Sequence, residues 1–567
     1  MQEDDRGTKE KKKSESLSDS VSTSSSSSSS TRDLPSLLSD AGTYSYAAII
    51  SLGLRELFDN QWDRKFCLQC ISVLLQHLNL RKQVEPVMIS LLDGHGSQCI
   101  DAYRELLLLE PGISGKAVLI IEDLLYLSVR GKYDSRMRVL IQHLSDQLNV
   151  PQEILELYEV SVVRFLTEES RPLSEQEQTE LKKKKRNRKM KRYALIGLAT
   201  LGGGAVLGLT GGLAAPLIGA GVGTLLGAGS AAVLGSTAGI AIIGSLFGVA
   251  GAGLTGFKMK KRVGEIEEFA FGILTGDPVI HTELHITIAV SGWLSDEEPD
   301  NFTRPWRSLL NSREQYFLRY ESQYLLELGR AMDYILSFAV SMAAQEALKY
   351  TILSGIITAI AWPASLVTLA SVIDNPWSVC CRRSAEVGKQ LAEVLLTREQ
   401  GQRPVTLIGY SLGARVIYYC LREMSEREGC EGIIQDAILL GTPVSGSKDW
   451  NKLTRVVAGR IVNGYSKSDW LLKFMYRTFS MATGVAGLQP IKIKDRRFVN
   501  IDLTDIVSGH SDYSRKIGAI LKLINIRTVD ETPMTFECMM KKSSSDIPHV
   551  DGQVQVIFLT SILSEKK

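Results

Sequence analysis

The stretch VTLIGYSLGARVIYYCL, residues 405–421, decides the fold. It opens on a short β-branched apolar run (Val405, Thr406, Leu407, Ile408), bends through Gly-Tyr-Ser-Leu-Gly, and continues with helical spacing at Val416, Ile417 and Cys420. A serine held between a strand and a helix, with glycine two residues to either side, has the pattern of a nucleophile turn. Gly409, Ser411 and Gly413 have that spacing. The turn would expose the hydroxyl above the sheet edge, and the N-terminus of the following helix would offer N–H groups to a developing oxyanion. The motif alone is common; a strand before it and a helix after it make it specific.

Outward from this turn the texture stays α/β. The runs LHITIAVSGW, DAILLGTPV, GRIVNGYS and RFVNIDL read as further strands, and AEVGKQLAEVLL as a helix between strands. Such alternation predicts a mostly parallel sheet covered by helices over residues 258–530, and with the serine turn the expectation is the α/β-hydrolase fold. The run EQYFLRYESQYLLELGRAMDYILSFAV (314–340) reads as one amphipathic helix, and an apolar helical insertion is expected at about 331–374. Its uncharged part, 351–373, is interrupted by Pro363, and fits a buried or membrane-lying insertion as well as a membrane crossing.

A serine hydroxyl needs a base, and the base usually needs a carboxylate, in the chain order serine, acid, histidine for this fold. Only His510 and His549 follow Ser411. His510 lies in a loop just past the last strong strand, whereas His549 sits in a polar tail. For the acid, Asp469 follows the strand before that last one and is preferred over Asp436, Asp449, Asp495, Asp502 and Asp505. The backbone N–H groups of Leu412 and Trp293 are the candidate oxyanion donors, the latter in the turn IAVSGWL after an early strand.

The remainder of the chain divides by composition. Residues 1–42 are polar, with an unbroken serine run from Ser24 to Ser30, and predict a disordered tail. Residues 43–180 carry apolar positions at helical spacing and predict an all-helical domain. A basic stretch at 181–192 precedes residues 193–257, which hold no charged residue and 19 of the chain's 48 glycines. At about 20 residues per span this length allows two crossings, and small residues four apart permit close helix packing in lipid. Basic flanks at both ends predict a Gly-rich transmembrane hairpin with the N-terminal and hydrolase domains both cytoplasmic. Residues 531–567 read as a C-terminal tail.

The formal net charge of +2 gives no global pull toward nucleic acid, and no nucleic-acid partner is expected. The N-terminus lacks the apolar stretch of a secretory signal, so the eight cysteines are expected as free thiols. Cys67 and Cys70 form a lone C-x-x-C on a helical pattern with no second pair, which favours packing over a metal; no metal or cofactor is expected. The expected partners are membrane lipids, with the helical domain a surface for a protein partner.

Together, RPVTLIGYSLGARVIYYCL, LLGTPV, VAGRIVNGYSKSDW, VSGHSDY and the glycine-rich segment resemble the transmembrane and coiled-coil domain-containing family of membrane-bound α/β-hydrolase-like proteins, over roughly residues 45–530. The resemblance implies a membrane-bound serine-hydrolase fold with Ser411, Asp469 and His510 in the triad positions, and none of the three departs from the pattern. It supplies no substrate. Two functions remain: a lipase- or esterase-like hydrolase, and a membrane scaffold or trafficking factor that uses the fold to bind without turnover.

Overall fold

A computed structural model of the chain describes residues 34–113, 116–129, 132–170, 266–274, 283–345, 364–479 and 484–529. The serine run, the basic stretch, the uncharged segment 193–257, residues 346–363 of the insertion, and the C-terminal tail with His549 lie outside the described residues. No helix among the described residues is long and apolar enough to cross a membrane.

Seven helices come first: α1 (Asp40–Leu57), α2 (Arg64–His77), α3 (Glu85–Leu92), α4 (Ile100–Leu108), α5 (Val118–Ser128), α6 (Ser135–Gln147) and α7 (Gln152–Ser170). Order begins earlier than composition predicts. Leu34 is buried in a short 3-10 turn, and Ser39 caps α1 by accepting from the Gly42 N–H while its own N–H donates to Glu110. Inside, α1 contributes Tyr46, Ala47, Ile50 and Leu54 to a core shared with Leu74, Ile121, Leu125, Leu140 and Leu144.

The second part is a seven-stranded sheet: β1 (Phe269–Ile273), β2 (Ile286–Val290), β3 (Gln315–Tyr320), β4 (Val405–Tyr410), β5 (Ile434–Leu440), β6 (Ile461–Tyr465) and β7 (Phe498–Asp502), in the order β1-β3-β2-β4-β5-β6-β7. Only β1 against β3 is antiparallel. Every residue of β2 and β4 is buried, as expected for parallel strands covered on both faces. The covering helices include α8 (Ser322–Gln345), α9 (Ala364–Leu396), α10 (Leu412–Ser425) and α11 (Trp470–Phe479).

The helix expected over 314–340 is two elements. Residues 315–320 pair as β3, with Tyr316, Leu318 and Tyr320 buried at the strand period of two, and the helix starts only at Ser322 after Glu321 turns at φ +44°. The aromatic alternation in QYFLRY outweighed a helical pattern that continues beyond it. The insertion is also less separate than its apolar texture suggests. Residues 364–373 are the opening turns of α9, which runs on through charged sequence to Leu396. Its second half packs on α10 so closely that a Cβ on Gly388 would lie 2.5 Å from the Val416 carbonyl oxygen.

All described residues belong to one compact unit. Charged side chains join the helices to the sheet. Buried Arg138 of α6 holds Glu159 of α7 through Nε (2.8 Å) and Nη2 (3.0 Å), and reaches Gln435 of β5 at 2.8 Å. The Tyr133 N–H donates to the Gln402 carbonyl, and Arg527 pairs with Glu156.

Candidate active site

The site lies at the carboxyl ends of the central strands, where open parallel sheets collect reactive loops. Ser411 follows β4 directly and adopts φ +52°, ψ −123°, a conformation that costs a non-glycine residue energy and marks a tight turn. Its N–H donates to the Leu440 carbonyl, and its own carbonyl accepts from the Arg415 N–H as α10 begins. Close approach explains the glycines. A Cβ on Gly413 would lie 2.0 Å from the Val290 oxygen, and one on Gly292 would lie 2.6 Å from the Ser411 Cβ and 3.2 Å from the Leu412 nitrogen. Gly409 faces Gly413 across the same turn, its Cβ position 2.8 Å from the Gly413 carbonyl carbon.

Three side chains from separate loops meet here. Ser411 Oγ lies 2.6 Å from His510 Nε2, and His510 Nδ1 lies 2.6 Å from Asp469 Oδ2. Asp469 follows β6 and stands at the start of α11, where Oδ1 accepts the Leu472 N–H at 3.0 Å. His510 follows β7, in a loop fixed by the Ser508 N–H on Asp512 and by Ser466, whose hydroxyl donates to the Val507 carbonyl at 2.7 Å. Ser466 therefore ties the acid's loop to the histidine's loop. Asp469 is fully buried, and Ser411 and His510 are each 1% exposed, so the constellation is closed over in this conformation.

The other carboxylates are engaged elsewhere. Asp436 accepts the Arg460 N–H, Asp449 pairs with Lys452, Asp495 with Arg497, and Asp502 with Lys467; Asp505 is exposed.

The turn after β2 is framed by Trp306, whose indole N–H donates to Ser291 Oγ at 3.0 Å, and by Tyr320, whose hydroxyl donates to the Ser291 carbonyl. The backbone N–H groups of Trp293 and Leu412 donate to no acceptor among the described residues. The Trp293 ring lies against His510 with centroids 5.3 Å apart and planes 29° from parallel. Tyr513 meets His510 edge-on at 5.6 Å, and burial raises its hydroxyl well above the usual range. Neither ring contact has a sequence signal, because both depend on how three distant loops converge.

No group of His, Cys, Asp and Glu among the described residues is placed to hold a metal. Cys67 is buried on α2 with its thiol pushed up to about 12 by burial, and Cys70 lies 4.0 Å from the Met137 sulfur. His77 pairs with Asp123 at 2.8 Å.

A family model described as a protein of unknown function, DUF726, matches residues 188–527. The chain belongs to this family. An uncharacterized membrane protein of Caenorhabditis elegans is 44% identical over 508 residues, covering 87% of this chain and 81% of the relative. The rice transmembrane and coiled-coil domain-containing protein STS1 is 40% identical, over 70% of this chain and 62% of its own length, and its name agrees with the resemblance drawn from the motifs. A yeast relative named Probable lipase MIL1 is 34% identical, over 74% of this chain and 40% of its own. No solved structure matches the DUF726 chain.

Proposed function

We propose that the chain is a membrane-associated serine hydrolase of the α/β-hydrolase fold that cleaves carboxylic esters, with lipids the favoured substrate class. The observation that carries this reading is the continuous path Ser411–His510–Asp469, with both links at 2.6 Å. In the proposed reaction Ser411 Oγ attacks the ester carbonyl and its proton passes to His510 Nε2. The Asp469 carboxylate at Nδ1 holds the imidazole with its other proton turned inward and offsets the charge of the imidazolium. The Leu412 and Trp293 N–H groups receive the oxyanion. His510 then protonates the departing alkoxide, and water, deprotonated by the same imidazole, releases the acid.

Membrane association is supported by the uncharged segment 193–257 and by relatives named as membrane proteins. The chain on either side of that segment, α7 before it and β1 after it, belongs to one compact unit. A segment leaving and rejoining one body must re-emerge on the face it entered, which suits a hairpin. The name of the yeast relative supports a lipid ester.

A second reading is favoured by one observation, the near-complete burial of Ser411. On that reading the fold is a membrane scaffold, and the helices α1–α7 are the surface for a protein partner. Covalent labelling of the membrane-embedded protein by a fluorophosphonate separates the two. Labelling that vanishes in Ser411→Ala and falls steeply in His510→Ala and Asp469→Asn supports the hydrolase; an unlabelled, folded protein supports the scaffold.

A further inference from the structure

We infer that the side chain of Trp293 is a positioning residue for His510, holding the imidazole by its face and carrying part of its positive charge when it is protonated. The inference rests on the serine-hydrolase reading and goes beyond the backbone role of the same residue.

The geometry is that of a cation on an aromatic face. Indole and imidazole centroids lie 5.3 Å apart and nearly parallel, within the roughly 6 Å over which the quadrupole of tryptophan, the strongest of the aromatic side chains, attracts a cation. The indole has no freedom to leave. Tyr410 meets it edge-on at 5.1 Å and 83°, and a Cβ on Gly329 of α8 would lie 3.5 Å from its Cδ1. The same glycine lets α8 press on the loop, since its Cβ would lie 1.9 Å from the Leu294 oxygen. His510 is thus held at four points: Asp469 at Nδ1, Ser411 at Nε2, the Tyr513 ring at one edge and the Trp293 ring on one face. Lys473 and Asp502 are the charged groups one layer out, the first acting on Asp469 and the second on Tyr513.

The consequence concerns charge as well as position. During attack His510 changes from neutral to cationic while only 1% exposed. Asp469 answers that charge at one nitrogen, and the indole face answers it across the ring. A leucine in place of Trp293 would remove the quadrupole and also part of the packing, so the electrostatic part is read by comparison with a second, aromatic replacement. A phenylalanine would keep a weaker face.

The test uses the full-length protein in membranes, with Trp293→Leu and Trp293→Phe beside the intact chain and Ser411→Ala. The first readout is the second-order rate of fluorophosphonate labelling across pH. Trp293→Leu is expected to lower the plateau by roughly three- to thirtyfold and to move the acid limb about half to one unit toward lower pH, with Trp293→Phe between it and the intact chain. The second readout needs no catalysis: deuterium exchange at the His510 imidazole C2–H, followed by mass spectrometry, whose midpoint should move the same way. Unchanged limb and midpoint in both variants, with the plateau within about twofold, would overturn the inference. If Trp293→Leu does not fold, the shift in Trp293→Phe decides. A midpoint that moves in a chain that never labels would keep the ring contact and discard the hydrolase reading; labelling with an unmoved midpoint would do the reverse.

Discussion

Asp469 gives one carboxylate oxygen to His510 and the other to the first turn of a helix: Oδ2 stands 2.6 Å from Nδ1, while Oδ1 accepts the Leu472 N–H. The acid is therefore anchored by the helix it caps, and its charge sits at the positive end of α11. Two substitutions separate these duties. Asp469→Asn keeps an oxygen for the cap but cannot hold the imidazole in the required tautomer, so turnover should drop about 10⁴-fold with little loss of stability. Asp469→Ala should lose turnover similarly and in addition about 1 kcal/mol of stability through the missing cap. Ester hydrolysis and thermal unfolding, measured on both variants, check the difference; equal stabilities would remove the capping role.

The glycines at the turn should tolerate nothing larger. Gly413→Ala forces a methyl group to within 2.0 Å of a backbone oxygen that cannot swing aside, and should cost at least about 3 kcal/mol or prevent folding. Gly429→Ala is the control: its φ of +73° strains an alanine by about 1 kcal/mol, but nothing lies within 4 Å. The yield of folded protein and the denaturation midpoints of the two variants should differ in that order.

His285 should make the fold acid-sensitive. It is buried beside Thr406 Oγ1 at 2.8 Å, and burial, reinforced by Arg138, Arg527 and Arg403, holds its protonated form well out of reach. Below about pH 6.5 the unfolded chain binds a proton here that the folded chain refuses, so stability is full above that pH and falls below it by up to about 1.4 kcal/mol per unit. Replacing it, as in His285→Gln, should flatten the decline in unfolding free energy between pH 7 and pH 5; an unchanged slope would place the sensitivity elsewhere.

The buried ion pair between α6 and α7, whose arginine also reaches the sheet at Gln435, should respond asymmetrically. Arg138→Met alone leaves the Glu159 carboxylate buried with only the Tyr133 hydroxyl, and should cost roughly 3–5 kcal/mol. Combining it with Glu159→Leu should recover much of that loss. A double variant as unstable as the single one would mean that the pair itself, and not an abandoned charge, supplies the stability.

Much of the sheet was legible because parallel strands announce themselves by short β-branched runs ending at loops. β2, β4, β5, β6 and β7 fall where those runs lie, and Ser411, Asp469 and His510 converge because each follows one of them. The reading failed where a local pattern had two meanings. β3 shares its sequence with the approach to a long amphipathic helix, and its alternation of tyrosine and leucine acquires meaning only beside β2. β1, pairing antiparallel at the edge and only partly buried, carries no run strong enough to stand out. The Trp293 ring and the Ser466 hydroxyl were invisible for another reason: each acts across loops separated by many residues, through a contact that no spacing rule encodes.

The strand order also sets a schedule for synthesis. β2 ends at Val290, but β4, its neighbour at the centre of the sheet, begins only at Val405. At a ribosome adding about 5–20 residues per second, that interval lasts on the order of ten seconds. Throughout it, a strand that is wholly buried in the finished protein waits with its central edge unpaired, while residues 193–257 have already left the tunnel. The nascent chain therefore has a defined window in which the edge of β2 stays open until β4 arrives.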